Sequence, residues 1–139
     1  RGSGSLGLEQ VARQEAGRFI AATGIPCEVS ISLPASLPDS VTETAIRAVT
    51  EALTNIACHA RATNVKLRIA TLIEQNELEI EITDDGLGFD PNVLEAGHYG
   101  LLGMRERLRL AGGRLEIHSQ AGEGTRLVVR FPLEKHADE

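Results

Sequence analysis

Apolar residues in the first part of the chain recur first at helical and then at strand spacing. Those at positions 8, 11, 12, 16, 19 and 20 fit one face of a helix over Leu8–Ala22, which Gly24 and Pro26 would end. Over residues 29–33, apolar and polar residues alternate one for one, which is typical of a half-buried strand. The pattern therefore predicts a helix and then a strand, followed by a connector over residues 34–39.

A second predicted helix runs to about His59. Its start carries Ser40 and Glu43 at the spacing of a capping box, and Pro38 is an alternative first residue. One face of this helix is apolar. Another face carries polar residues at four-residue steps, so that their side chains stack in one column: Arg47, Glu51, Asn55 and His59.

Two strand pairs and a third helix complete the pattern. Residues 65–73 and 78–82 alternate like strands around a turn at 74–76, and residues 115–117 and 127–131 do so around a turn at 121–124. Between the pairs, Leu101–Ala111 has helical spacing and ends at Gly112-Gly113. This order predicts an α+β fold, a two-layer sandwich in which three main helices pack on one mixed, mostly antiparallel sheet.

Length and composition indicate one globular domain. The chain has 139 residues, of which 42% are hydrophobic and 24% charged; these values suit a single domain and are too apolar for a disordered chain. No apolar run approaches the roughly 20 residues that span a bilayer. We expect residues 1–5 to be a remnant of expression cloning and residues 6–139 to form the domain.

Charge and cysteine content narrow the class of partner. The net charge of −6 and the scarcity of aromatic residues argue against nucleic acid as the main partner. Cys27 and Cys58 have neither metal-ligand spacing nor the pattern of a disulfide framework. Reduced thiols and a cytoplasmic setting are therefore expected.

The polar column of the second helix is the first candidate site. Glu51 and Asn55 lie one helical turn apart, and their oxygen atoms suit a Mg²⁺ ion with its water. The plain alternative is a solvated helix face.

The stretch 84–88 is the second candidate site. A buried Asp84 carboxylate only accepts hydrogen bonds, so it would select the amino group of adenine. Gly86 and Gly88 would let the backbone approach a flat ligand. The plain alternative is an ordinary Asp-Gly turn.

Glycine-rich stretches form the remaining candidates. Gly97, Gly100 and Gly103 recur every three residues, and the last two open the third predicted helix, where N–H groups without partners favour a phosphate. The spacing matches neither the Walker nor the dinucleotide pattern, and flexible-loop glycine is the plainer interpretation. The 122–125 stretch predicts a hairpin turn, with the Thr125 hydroxyl as a further ligand contact.

The order and spacing of these stretches resemble the ATP-binding catalytic domain of bacterial sensor histidine kinases, within the group that shares its fold with gyrase, Hsp90 and MutL. The resemblance rests on residues 51–55, 84–90, 97–107 and 122–125. The run from Gly100 to Arg107 is similar to the nitrate-sensor and DesK-like subgroup in particular. The matched motifs span about residues 28–133 and imply the Bergerat ATP-binding fold.

The resemblance implies a role for each matched residue. Asn55 would bind Mg²⁺, and Glu51 would act as a base or position a water beside it. Asp84 would recognise the adenine amino group, with Gly86 and Gly88 shaping the base pocket.

The remaining implied roles concern the phosphates and the rim of the site. The turn formed by Gly100, Leu101 and Gly103 would lie against the phosphates, with His59 within reach. Thr125 would complete the adenine end through water, and residues from about 90 to 98 would form a lid.

One position departs from the family pattern. Relatives often carry Lys or Arg where this chain has Cys58, so His59, His98 or a nearby Arg would have to compensate at the phosphates.

The charges of ATP and of the domain also favour Mg²⁺, because ATP brings about four negative charges to an acidic domain. Two unit charges about 4 Å apart repel by about 4 kcal/mol at an effective dielectric constant of 20.

The expected function is the donor half of a histidine kinase, which passes the γ-phosphate of ATP to a histidine on a separate dimerisation domain. The full protein would then pass the phosphoryl group to a response regulator. Sensor kinases of this kind are often anchored in the membrane by segments outside this domain. The chain's own histidines lack the sequence context of a phosphoacceptor: His59, His98, His118 and His136. We therefore expect the acceptor domain to lie N-terminal to Leu8 in the full protein. The alternatives are a non-catalytic ATP-dependent switch module and a serine kinase that inhibits a sigma factor.

Overall fold

Helices cover one face of a single sheet in the computed structural model, which describes residues 4–34, 36–59, 61–88 and 99–133. Those ranges contain three helices and five strands. In chain order they are α1 (Gly4–Thr23), β1 (Cys27–Ser32), α2 (Asp39–His59), β2 (Val65–Leu72), β3 (Glu77–Asp84), α3 (Tyr99–Leu110), β4 (Arg114–Ser119) and β5 (Thr125–Pro132).

The sheet has the order β1-β2-β3-β5-β4. β1 and β2 are parallel, whereas every other neighbouring pair is antiparallel. This mixed, mostly antiparallel sheet under a layer of helices confirms the predicted α+β sandwich.

The core lies between the helices and the inner face of the sheet. Strand residues such as Ile69 and Ile80 are fully buried there, and α2 and α3 contribute Ala45 and Leu108. Burial of this continuous apolar layer is the main stabilising term of the fold. None of the helices in the described part of the chain combines the length and apolar character that crossing a bilayer requires.

The structure decides between the two predicted starts of α2 and corrects the end of one strand. The capping box does not form, and α2 begins at Asp39, directly after the alternative start at Pro38, whose carbonyl accepts the hydrogen bond of Thr42 N–H at 3.1 Å. Ser40 therefore lies inside the first turn, where its carbonyl accepts a bond from the Thr44 hydroxyl at 2.9 Å. Ile73, predicted as the last residue of a strand, is in the turn and 85% exposed.

Two other ends deserve comparison with the prediction. α1 begins at Gly4, so part of the 1–5 stretch is helical. α3 ends before Gly112, as predicted; Gly112 has φ +83°, and Gly113 N–H reaches back to the carbonyl of Leu108 at 2.7 Å.

Strand register fixes which ends of the helices meet. One row of the sheet, here called the Asp84 end, runs through Val65, Asp84, Thr125 and Ser119. β1 also starts at the Asp84 end, opposite Val65, and it ends at the other end of the sheet, here called the far side. α2 follows β1, so it begins at the far side; it precedes Val65, so it finishes at the Asp84 end. α3 instead leads into the start of β4, at the far side, and so begins near the Asp84 end. The end of α2 and the start of α3 thus lie at the same end of the domain.

Candidate functional site

Asp84 is the last residue of β3 and lies on the inner face, where it is 5% exposed. Its Oδ1 accepts a hydrogen bond from Gly86 N–H at 2.8 Å. Burial raises the pKa of this carboxyl above its ordinary value, and Asp85 raises it further, whereas the N–H groups of Gly86 and Thr125 lower it. Asp84 is thus a buried hydrogen-bond acceptor held in place by backbone N–H groups.

An open cavity of about 490 Å³ lies at the Asp84 end, and both Asp84 and Thr125 line it. The Thr125 hydroxyl is 2.8 Å from that of Ser119, which also donates to the carbonyl of Gly124 at 2.9 Å. This bonding orients Thr125 beside Asp84. Sequence analysis did not single out Ser119, although its place opposite Thr125 across the predicted hairpin was a usable signal.

Backbone contacts lock the 84–88 segment against the β4–β5 hairpin. A Cβ on Gly88, whose φ is +68°, would lie 2.0 Å from the carbonyl oxygen of Gln120. A Cβ on Gly124, whose φ is +80°, would lie 2.2 Å from the carbonyl oxygen of Asp84. The carbonyl of Leu87 also accepts a hydrogen bond from Gly122 N–H at 2.5 Å. The hairpin contact therefore accounts for the glycine at position 88, while Gly86 is buried and bonds Asp84.

Asp85 performs a separate task that sequence analysis missed. Its Oδ1 accepts hydrogen bonds from Thr63 N–H at 2.7 Å and Asn64 N–H at 3.0 Å, and its Oδ2 accepts one from the Thr63 hydroxyl at 2.5 Å. These bonds lower the pKa of Asp85 to about 2. They tie the loop after α2 to the end of β3. The available signal was strand alternation, which points consecutive Asp side chains to opposite sides.

The polar column of α2 runs toward the same end. Glu51 is one-third exposed, and its Oε1 lies 3.7 Å from Arg107 Nη2 in α3. Asn55, one turn further on, is half-buried, and its side-chain amide makes no hydrogen bond with any described residue. His59 ends α2, Cys58 beside it is an exposed free thiol, and Arg47 is exposed.

These oxygen donors fit a Mg²⁺ ion. Mg²⁺ keeps several waters and needs only one or two protein ligands beside substrate phosphates. A half-buried amide with no partner in the described structure, one turn from a carboxylate, meets that need. In the described ranges no cluster of three acidic, His or Cys residues could hold a metal without such a substrate.

The first turns of α3 carry the predicted phosphate contacts. Gly100 and Gly103 lie in this helix, and Leu101 between them is fully buried in the core. Gly97, His98 and the predicted lid at residues 90–98 lie outside the described residues, as does His136. His118 is in β4, exposed and 3.3 Å from Glu116, as expected for a surface histidine.

The structure thus brings the predicted residues to one end of the domain in two groups. Asp84 and Thr125 share the cavity, whereas Glu51, Asn55 and Gly103 do not line it among the described residues. The second group lies where α2 ends and α3 begins. Residues 89–98, which connect β3 to α3 in sequence, are not described.

Comparison with known proteins shows the family of this chain. The family described as histidine kinase-, DNA gyrase B- and HSP90-like ATPase matches residues 41–135. The signal transduction histidine-protein kinase/phosphatase DegS of Brevibacillus brevis is 31% identical over 129 residues, which cover 92% of this chain and 33% of the relative. The nitrate/nitrite sensor protein NarX of Escherichia coli is 28% identical over 130 residues, covering 93% of this chain and 21% of the relative.

A solved structure shows the same fold. The mycobacterial sensor histidine kinase MprB superposes with a TM-score of 0.68 at 19% identity, covering 92% of this chain and 97% of that one. The chain spans only 15 to 33% of the length of the first curated relatives it matches. Because the family match contains every polar motif described above, the chain belongs to the histidine kinase-, DNA gyrase B- and HSP90-like ATPase family and corresponds to the catalytic ATP-binding domain of sensor histidine kinases.

Proposed function

We propose that this domain binds ATP with Mg²⁺ at the Asp84 end and donates the γ-phosphate to a histidine on a separate dimerisation domain of the same protein. The full protein then passes the phosphoryl group to a response regulator, and this domain acts in the cytoplasm. The observation that carries the proposal is the meeting of Asp84, Thr125, the end of α2 and the start of α3 at one end of the sheet.

Adenine recognition falls to Asp84. An ionised carboxylate accepts hydrogen bonds and donates none, so it pairs with the amino group of adenine and disfavours the oxo group of guanine. Its Oδ1 is engaged by Gly86 N–H, and Thr125 stands in the next strand at the same row. Thr125 supplies the polar group that completes this end through water. Gly86 and Gly88 keep the adjoining backbone close.

The phosphates are bound in this proposal by the other part of the site, where α2 ends and α3 begins. The first turn of α3 offers backbone N–H groups that lack helical partners, together with the positive end of the helix dipole. Gly100, Leu101 and Gly103 belong to this segment. His59, the last residue of α2, is the further phosphate contact of this proposal.

Asn55 is the proposed Mg²⁺ ligand, and Glu51 is the proposed base or water-positioning group. When bound, Mg²⁺ neutralises phosphate charge and orients the phosphoryl group. The domain carries a net charge of −6, so its overall charge does not attract a polyphosphate. A helix terminus contributes only about 0.3–2 kcal/mol toward an anion, so a divalent cation is the larger stabilising term.

Equilibrium titration with ATP, in Mg²⁺ and in chelator, tests the metal assignment. We expect chelator to weaken ATP binding strongly in the native chain and only slightly in Asn55→Ala. Thr54→Ala is the matched control, because Thr54 is exposed on the preceding position of the same helix. Equal dependence on Mg²⁺ in all three proteins would contradict the Asn55 assignment.

Phosphoryl transfer requires the acceptor domain. The parent's dimerisation domain, supplied in trans with γ-labelled ATP, should become labelled on histidine when this chain is present. Tight ATP binding without any label would support a non-catalytic switch module, and label on serine would support a serine kinase.

A further inference from the structure

The side chain of Arg107 runs from the last turn of α3 back along the helix toward Gly103. Its Nη2 is 3.7 Å from Glu51 Oε1, and its Nη1 would be 3.3 Å from a Cβ placed on Gly103. Helical side chains tilt toward the N-terminus, so the guanidinium covers the preceding turn, and the glycine leaves room for it. The guanidinium therefore lies between the polar column of α2 and the first turns of α3.

This guanidinium is weakly held compared with those on the outer face of the sheet. Arg130 Nε lies 2.7 Å from Glu79, and Arg114 Nη1 lies 3.1 Å from Glu77, both at hydrogen-bonding distance. The Arg107 guanidinium reaches its carboxylate only at 3.7 Å, and it makes no hydrogen bond with any described residue, although the Arg107 carbonyl accepts one from Ala111 N–H. Its side chain is 37% exposed. A guanidinium has five N–H donors, so most of the donor capacity of Arg107 is open to an anion.

Full positive charges are scarce in the segments next to Glu51 and Gly103. Residues 51–59 of α2 and residues 99–104 of α3 contain neither lysine nor arginine, and Arg47, one turn before Glu51, lines a cavity that Arg107 also lines. A polyphosphate needs charge-assisted hydrogen bonds, and the planar fork of arginine matches two phosphate oxygens at once. Arg107 is the arginine that the ion pair with Glu51 places against both segments.

Resting on the proposed function, we propose that Arg107 binds the terminal phosphate of ATP. Before ATP binds, Glu51 holds the guanidinium over Gly103 by the loose contact seen here. When ATP binds, the fork turns from Glu51 to the terminal phosphate, and Glu51 is released for its own role beside the metal. Arg107 thus makes the domain distinguish ATP from shorter nucleotides.

Titration of Arg107→Met with ATP, ADP and AMP in Mg²⁺ tests this proposal. We expect ATP affinity to fall on the order of 10- to 100-fold, which is the usual effect of losing a hydrogen bond to a charged group. ADP affinity should fall less, and AMP affinity should not change. Arg107→Lys should restore only part of the ATP preference, because an ammonium group lacks the fork.

Arg109→Met is the matched control, because Arg109 is exposed and pairs with Glu106 within α3. It should bind all three nucleotides like the native chain. Two results for Arg107→Met would overturn the proposal: equal losses of ATP, ADP and AMP affinity, or a lower melting temperature with an unchanged ratio of ATP to ADP affinity. Either result would mean that Arg107 only stabilises the packing of α3 against α2. If Arg107→Met does not fold, Arg107→Lys decides by the same ratio. A native chain that binds no ATP would instead overturn the proposed function.

Discussion

The outer face of the sheet and the Asp84 end use charged residues in opposite ways. The outer face carries arginines and glutamates paired across neighbouring strands: Arg68, Glu79, Glu81, Glu116, Arg126 and Arg130. Near the Asp84 end, the Asn55 amide has no hydrogen-bonding partner among the described residues, and Arg107, in the last turn of α3, holds its carboxylate only at 3.7 Å. Charged side chains on the outer face bond one another, whereas Asn55 and Arg107 on the helical side have hydrogen-bonding capacity to spare.

The means by which each region is held together explains this difference. On the outer face, side chains bond one another, so their donors and acceptors are used up. At the Asp84 end, backbone contacts through Gly88 and Gly124 join the loops and leave the neighbouring side chains available. The proposed site therefore combines side chains that have spare hydrogen-bonding capacity with a backbone held by close glycine contacts.

Substituting Asp84 should have the largest effect on binding. In Asp84→Asn, the amide presents a donor to the adenine amino group or turns its oxygen away from Gly86 N–H, so a buried polar group is left without a partner. We expect ATP affinity to fall on the order of 100-fold or more. Fluorescent-ATP titration would measure it, with circular dichroism to confirm folding.

Glu81→Gln is the control for Asp84, because Glu81 lies on the same strand but pairs with Arg68 and Arg126 on the outer face. It should bind ATP like the native chain. Comparable losses in the two variants would remove the distinction between the two regions.

Acidification should separate Asp84 from an ordinary carboxyl. Because burial raises the pKa of Asp84, protonation begins at a higher pH than it does for a free Asp, and protonation removes an acceptor. ATP affinity of the folded native chain should therefore begin to fall above the usual titration range of Asp. Titrations at stepped pH, with Glu81→Gln as reference, would show this; a fall confined to the ordinary range would contradict it.

Gly88→Ala should have the largest effect on stability, since it disrupts the close backbone contact between residues 84–88 and the β4–β5 hairpin, here called the backbone lock. A Cβ there would meet the carbonyl of Gln120 at 2.0 Å in a backbone region that side chains rarely adopt. Strain and overpacking together should cost about 3 kcal/mol or more of the free energy of unfolding. Gly122→Ala, with φ +83° and nothing within 4 Å, should cost only about 1 kcal/mol. Denaturant unfolding of both variants measures the difference, and equal costs would show that the lock adds nothing.

Much of the fold follows from periodicity, and less of the site does. Alternation in residues 78–82 correctly predicted an inner face at Ile80, but it gave no sign that Glu79 on the other face is 5% exposed. Its burial comes from arginines on β2 and β5, and cross-strand register places them there. Likewise, Asp84 could be recognised from its motif, whereas the contact between Glu51 and Arg107 depends on how α2 and α3 pack. Sequence spacing predicts elements and motifs, and it does not predict contacts that join distant segments.

Glu79→Gln tests whether the outer face is purely structural. Glu79 Oε1 accepts from Arg68 at 2.5 Å and Oε2 from Arg130 at 2.7 Å. The substitution removes the nearest anion of both guanidinium groups, which keep only Glu81 and Glu116, each at 3.3 Å. We expect a loss of about 1–3 kcal/mol in the free energy of unfolding, with ATP affinity unchanged. Glu116→Gln, at a more exposed pair, should cost less than about 1 kcal/mol. A change in ATP affinity in Glu79→Gln would give the outer face a functional part.

The smallest expected effect concerns Asp85, which joins the loop after α2 to β3 and contacts no outer-face charge. Its pKa is about 2 in the folded chain and near 3.8 in the unfolded chain, so the unfolded state binds its proton first as the pH falls. The stabilisation from Asp85 is therefore complete above about pH 4 and disappears progressively toward pH 2. In Asp85→Asn, the difference in unfolding free energy from the native chain should be largest near neutral pH and should shrink over that window. Denaturant titrations at stepped pH would show it; a difference independent of pH would mean that the bonds to Thr63 and Asn64 do not depend on the ionised carboxylate, and that this joint belongs with the backbone lock.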